Sequence, residues 1–267
     1  MIIEFIGTPG AGKTTLMNTA VTCLTAQGYR ACTVVDAARP LAARTLLGRA
    51  IIRLAPARWH RPLLWQLFYA ATRLERVRFL ARHPRLMGRV WNFQRRRPLS
   101  AADRRHVRRW FNHQTGVYEF MRRRLEPADA VLFDEGFIHR VVQLFASENE
   151  MPDPAEVRAY VERLPRPDLL IYPTAPLDIC RRRVTARGLW ERFAVKSPEE
   201  TAQFLAAAEC AVAIAVEAAR RRQWTILELD NGGDDPAIAA GRLQRALADL
   251  TPVQFQPALS RPVLIEP

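Results

Sequence analysis

Residues Gly7 to Thr15 read Gly-Thr-Pro-Gly-Ala-Gly-Lys-Thr-Thr, a complete G-x-x-x-x-G-K-[ST] spacing. These residue types in this order suit the cradling of a polyphosphate. Gly7, Gly10, Ala11 and Gly12 let the backbone curl until its N–H groups and a helix N-terminus face one anion. Lys13 would bridge the terminal phosphates. Thr14 would offer its hydroxyl to magnesium, and Thr15 would continue the anion-facing first turn. Lys13 is one of two lysines, with Lys196, set against 38 arginines. A compact ammonium and a planar guanidinium do not substitute for one another at such a site.

Two further groups carry chemistry. Leu132 to Gly136 read Leu-Phe-Asp-Glu-Gly, which would set Asp134 at the end of a buried strand, beside the loop, as a partner for the magnesium shell. Glu135 leaves a fork: a base for water, as in hydrolytic ATPases, or a contact to the acceptor of a small-molecule kinase. Downstream, PLDICRRRVTARGLWERF spaces Arg183, Arg187 and Arg192 so that a helix and a following loop would aim guanidiniums at a transferring phosphoryl group. A solvated basic helix face is the plain alternative, and it suits Arg181 and Arg182 better.

Positioning these groups takes a repeating frame. The apolar MIIEFI predicts a buried strand, and Thr14 to Gly28 a helix with Leu16, Ala20 and Leu24 on one face. Strands are predicted at 31–36, 130–136, 168–174 and 224–230, with helical blocks at 177–188, 199–222 and 235–249. This alternation predicts an α/β parallel sheet covered on both faces. Residues 37–129 are too long for an ordinary crossover and predict a helical subdomain over the sheet's ligand-binding edge. It carries helices at 41–54, 62–82 and 104–125, with Pro56, Pro62, Pro84 and Pro98 as breaks. The domain is expected to run over 1–250, with a lid region at 177–196 and a Pro-rich tail at 251–267.

In these blocks the chain resembles the thymidylate kinase and deoxynucleoside kinase branch of the nucleoside monophosphate kinase-like superfamily. The blocks are GTPGAGKTT, VVDAARP, RRRLEPADAVLFDEG, RRRVTARGLWER and TILELDNGGDDPAIAAGRL, in family order. The resemblance implies a three-layer P-loop NTPase fold with a five-stranded parallel sheet, a helical insertion and an Arg-rich lid. It also implies ATP and Mg2+, and phosphoryl transfer to a nucleoside- or nucleotide-like acceptor. By the same resemblance Asp36 would face the acceptor as a base for a hydroxyl, and Arg39 would fix the acceptor. Arg183, Arg187 and Arg192 would form the lid, and Asn231 to Asp234 would sit near the adenine. The family's Asp-Arg-Tyr or Glu-Arg-Ser after strand three is replaced by Asp134-Glu135-Gly136, so Arg140 is the expected substitute for a missing arginine. Gln114, in the 104–125 helix, is a further candidate for reading the acceptor.

Composition sets the bounds. An apolar content of 49% excludes a disordered chain. Cys23, Cys32, Cys180 and Cys210 show neither paired nor metal-ligand spacing and read as small hydrophobes in a reducing cytoplasm. The apolar start reads as a strand and not as a leader. Thr201 to Ala219 carries Glu209 and Glu217 and reads as a packed alanine-rich helix. Of the net charge of +13, residues 37–129 hold +17 (22 Arg against 5 acids), so the rest of the chain sums to −4. Four of the six tryptophans, Trp59, Trp65, Trp91 and Trp110, share that segment. It would suit a small anionic acceptor, an anionic membrane surface or a nucleic acid, and a homodimer stays open. An arginine-rich composition with little function attached is the plainest reading of the segment. A nucleotide-switched ATPase using Asp134 and Glu135 remains the alternative to a kinase.

Overall fold

The computed structural model describes residues 1–96, 101–187, 197–233 and 235–249. Its frame is a five-stranded all-parallel sheet in the order β2-β3-β1-β4-β5. The strands are β1 (Ile2–Phe5), β2 (Arg30–Thr33), β3 (Asp129–Phe133), β4 (Leu169–Thr174) and β5 (Ile226–Asp230). β1 and β3 are buried along their whole length, as strands covered on both faces must be. Register follows the apolar runs: Ile3 pairs with Leu169, Phe5 with Ile171, and Leu170 with Ile226.

The helices are α1 (Lys13–Ala26), α2 (Val34–Ala43), α3 (Leu46–Leu54), α4 (Ala57–Arg82), α5 (Pro84–Arg96) and α6 (Ala101–Arg122). They continue with α7 (Arg140–Phe145), α8 (Pro154–Val161), α9 (Leu177–Arg187), α10 (Pro198–Arg221) and α11 (Pro236–Asp249). The chain divides into two units: Met1–Ala31 with the chain from Leu132 onward, and Cys32–Val131.

In the first unit α10 starts at a capping box, where the Ser197 hydroxyl accepts the Glu200 N–H and the Glu200 carboxylate accepts the Ser197 N–H. α10 is long and apolar enough to cross a membrane, but 56% of its most apolar window is buried. Its Ala207, Ala208, Ala211 and Ala215 stripe lets α7 and α8 approach closely, which is core packing.

The second unit is built on α4 against α6. Phe68 meets Phe120 edge to face at 5.1 Å, and Gly116 packs directly on the Thr72 carbonyl. Two carboxylates are buried between these helices. Glu75 is held by Arg78, Arg123 and Arg124, each at 3.0 Å, and Glu119 by Arg82 and Arg122. The guanidiniums outweigh the cost of burial, so both carboxyls sit below their usual range.

The frame departs from expectation in several places, and three of them have a local cause. The second strand stops at Thr33 rather than at residue 36. The Thr33 hydroxyl accepts the Asp36 N–H at 3.3 Å and donates to the Asp36 carboxylate at 2.7 Å, starting α2 where the β-branched Val34 and Val35 had predicted strand. Pro62 does not break the chain; it lies inside α4, where it removes only one backbone donor. The block expected at 41–54 is two helices, because the Thr45 side chain caps a new start.

Candidate functional site

All of the site described here belongs to the first unit. The loop from Gly7 to Gly12 leaves β1 and enters α1. Gly12, its N-cap, has φ near 90°, offers no side chain to the helix, and is followed by no acid in the first turn. The N–H groups at the start of α1 are thus left for an anion, with the helix dipole behind them. Glycine is required there twice over, since a Cβ on Gly12 would stand 2.2 Å from the Asn231 side chain.

Lys13 Nζ donates to the carbonyls of Gly7 at 2.8 Å and Thr8 at 3.2 Å, folding the ammonium into the loop. Burial lowers its pKa from 10.5 to about 8, against the pull of Glu135, Cys180 and Asp134. A pocket of about 280 Å³ opens beside it. It is lined by Gly10, Gly12, Lys13, Thr14 and Thr15 of the loop and α1, by Asp134 and Glu135 after β3, and by Arg183 and Arg187 of α9.

Each wall is held from behind. Asn231, buried at the end of β5, donates from Nδ2 to the Ala11 carbonyl at 2.8 Å. Arg183 donates to the carbonyls of Asn231 at 2.9 Å and Gly233 at 2.8 Å, so α9, the loop after β5 and the glycine loop are linked. Arg140 does not line the pocket. It is 3% exposed and donates to Glu135 Oε2 at 3.0 Å, to the Glu135 carbonyl at 2.9 Å and to Gln143 at 2.6 Å. Its burial lowers its pKa to about 10. The expected acceptor-binding arginine is therefore a brace for Glu135.

The Asp134-Glu135-Gly136 turn also rests on Glu4, a carboxylate inside β1. Glu4 is 1% exposed, and its Oε2 accepts the Ile138 N–H at 3.1 Å. Its other oxygen has no hydrogen-bond partner among the described residues, and burial raises its pKa from 4.5 to about 7. A Cβ on Gly136 would stand 2.3 Å from the Glu4 carboxyl. The glycine that closes this turn is thus packed directly against a residue on another strand.

His139 was not singled out from the sequence, yet it lines the pocket. It is 2% exposed and its Nδ1 has no partner among the described residues. Burial, with Lys13 and Arg140 nearby, holds it well below the usual histidine value, so the ring is neutral. Asn231 was placed only loosely, near an adenine. Neither residue carries a local spacing that could have marked it; both are identified by long-range contacts.

The remaining candidates fall elsewhere. Gly7 and Ala11 serve the loop through their carbonyls. Asp36, Arg39 and Gln114 belong to the second unit: Asp36 exposed in the first turn of α2, Arg39 half-buried, Gln114 buried in α6. Arg192 lies outside the described residues. The four cysteines are free thiols.

No family model matches the chain, and no curated protein matches it. Among solved structures it is similar to TT1252 from Thermus thermophilus, at 21% identity over 94% of this chain and 98% of that one, with a TM-score of 0.38.

Proposed function

We propose that the chain is an ATP-dependent phosphotransferase with a three-layer P-loop fold, moving a γ-phosphoryl group to a small nucleoside- or nucleotide-like acceptor. The observation that supports this most is the convergence of Lys13, Thr14, Asp134, Arg183 and Arg187 on one pocket at a helix N-terminus left without a side-chain cap.

In this reading the α1 N–H groups take the nucleotide's phosphates, and Lys13 exchanges its two carbonyl contacts for phosphate oxygens. Thr14 and Asp134 supply the hard oxygen donors magnesium prefers, and so fit as its protein holders. When bound, magnesium would neutralise charge on the β- and γ-phosphate oxygens. The bond between the γ-phosphorus and the bridging oxygen breaks as the acceptor oxygen bonds to that phosphorus, and ADP leaves. Arg187 would hold the charge spread over the transferring oxygens. The Asp36 carboxylate is already engaged by Thr33, which favours an acceptor oxygen that arrives ionised, such as a phosphate. Hydrolysis through Glu135 is the weaker reading, because one Glu135 oxygen is already held by Arg140.

The test uses purified protein, γ-labelled ATP and magnesium with a panel of nucleosides, nucleotides and sugars. Label should pass to one acceptor class, and Lys13→Ala should abolish the transfer. ATP loss that is equally fast with no acceptor would overturn the kinase reading. Glu135→Gln should leave ATP affinity near wild type; trapping of ATP by this variant would instead mark a hydrolase.

A further inference from the structure

α3 is amphipathic in sequence but packs the wrong way round for a core helix. The residue it turns inward is Gly48, buried so closely on α2 that a Cβ would stand 2.1 Å from the Ala42 carbonyl. The leucines point outward: Leu46 is 79% exposed, Leu47 66% and Leu54 85%. At 3.6 residues per turn these three share an arc of about 100°. Arg53 and Arg49 follow along one edge of that arc, and both are exposed. The start of α4 extends the same composition with exposed Arg58, Trp59 and Arg61. Arg49, Arg53, Arg58 and Arg61 have no acidic partner among the described residues, and the sequence contains no Asp or Glu from Ala37 to Leu74.

Each part of this surface narrows the partner. Exposed leucines give nothing to a nucleic acid, whose outer face is phosphate. Arginines without counter-charge call for an anionic surface. Aliphatic side chains, a tryptophan and arginines on one short segment match the boundary of an anionic lipid layer, with acyl chains below and charged headgroups above. The arginine stems can lie along the apolar surface while their guanidiniums reach the headgroups. We propose that α3 and the first turn of α4 form a docking face for an anionic phospholipid bilayer. This inference does not depend on phosphoryl transfer.

The experiment measures sedimentation of the full-length protein with vesicles of phosphatidylcholine alone or mixed with phosphatidylglycerol, without nucleotide. Binding to the mixed vesicles should exceed binding to the neutral ones by about tenfold or more and should weaken with salt. Leu46→Ser with Leu54→Ser should lower it about tenfold with an unchanged melting curve. Arg49→Gln with Arg53→Gln should flatten the salt dependence. Bromine-labelled lipid should quench tryptophan emission in the wild type and much less in Trp59→Phe, a readout independent of the leucine variants. Lys13→Ala should bind vesicles like the wild type, which separates this face from the nucleotide site. The proposal is overturned by equal binding to neutral vesicles, by no binding to either, or by leucine variants that bind as the wild type does. Salt-sensitive retention of duplex nucleic acid in place of vesicles would also overturn it.

Discussion

At the scale of single residues, two buried ionisable groups make the site sensitive to pH. Lys13 in the free loop has a pKa of about 8, so its ammonium is lost as pH rises past that value. Phosphates need the ammonium, so ATP affinity should fall as pH rises through about 8, with proton uptake on binding near that pH. Calorimetry in buffers of different ionisation enthalpy measures both. Lys13→Arg, permanently charged, should bind more weakly but without this pH dependence. Glu4 acts on stability. Its folded pKa of about 7 lies above the usual 4.5, so between those values the folded chain holds a proton that the unfolded chain does not. Its contribution is therefore most favourable below pH 4.5 and is lost as pH rises to 7. Glu4→Gln, which can still accept the Ile138 N–H, should gain on the wild type as pH rises, by up to about 3 kcal/mol. Chemical denaturation at pH 4.5 and at pH 8 tests it; a constant difference between the two proteins would refute the assignment. The glycine loop was readable because its geometry is written in consecutive residues. Glu4, His139 and Asn231 were not, because each matters through a contact with residues far along the chain.

At the scale of elements, caps decided what hydrophobic pattern could not. Val34 and Val35 favour strand, yet the Thr33 hydroxyl and Asp36 close a helical turn, and Asp36 leaves the strand end where a catalytic carboxylate was expected. The four other strands were legible within two or three residues, since buried parallel strands are short apolar runs. The arginines were the least legible, because a guanidinium in solvent and one against a buried carboxylate look alike in sequence. Glu75 is the clearest case. Glu75→Gln would leave Arg78, Arg123 and Arg124 facing one another around a neutral amide, at a cost of about 3–5 kcal/mol. Glu126→Gln, at a side chain 56% exposed, should change stability by no more than about 0.5 kcal/mol. Thermal denaturation of the two variants side by side makes the comparison.

At the scale of the whole molecule, the net charge of +13 describes two different things. Arg78, Arg82, Arg122, Arg123 and Arg124 answer the buried Glu75 and Glu119, and Arg44 answers Asp129. Those charges hold helices together. The acid-free stretch from Ala37 to Leu74 leaves Arg49, Arg53, Arg58, Arg61 and Arg73 facing solvent, and the outward leucines lie there too. Alternating strands and helices, the parallel sheet and a helical insertion of this length all follow from the sequence. The division of arginines between interior and surface does not, because it depends on where two glutamates end up once the helices pack.

The contact between Glu4 and Gly136 constrains the order in which this site can change. A side chain at position 136 would stand 2.3 Å from the Glu4 carboxyl, so that carboxylate has to shift or be shortened for one to fit. The reverse step is open, since glycine at 136 accepts either. Mutational history at this turn is therefore directional: Gly136→Ala should be tolerated better after Glu4→Ala than before it.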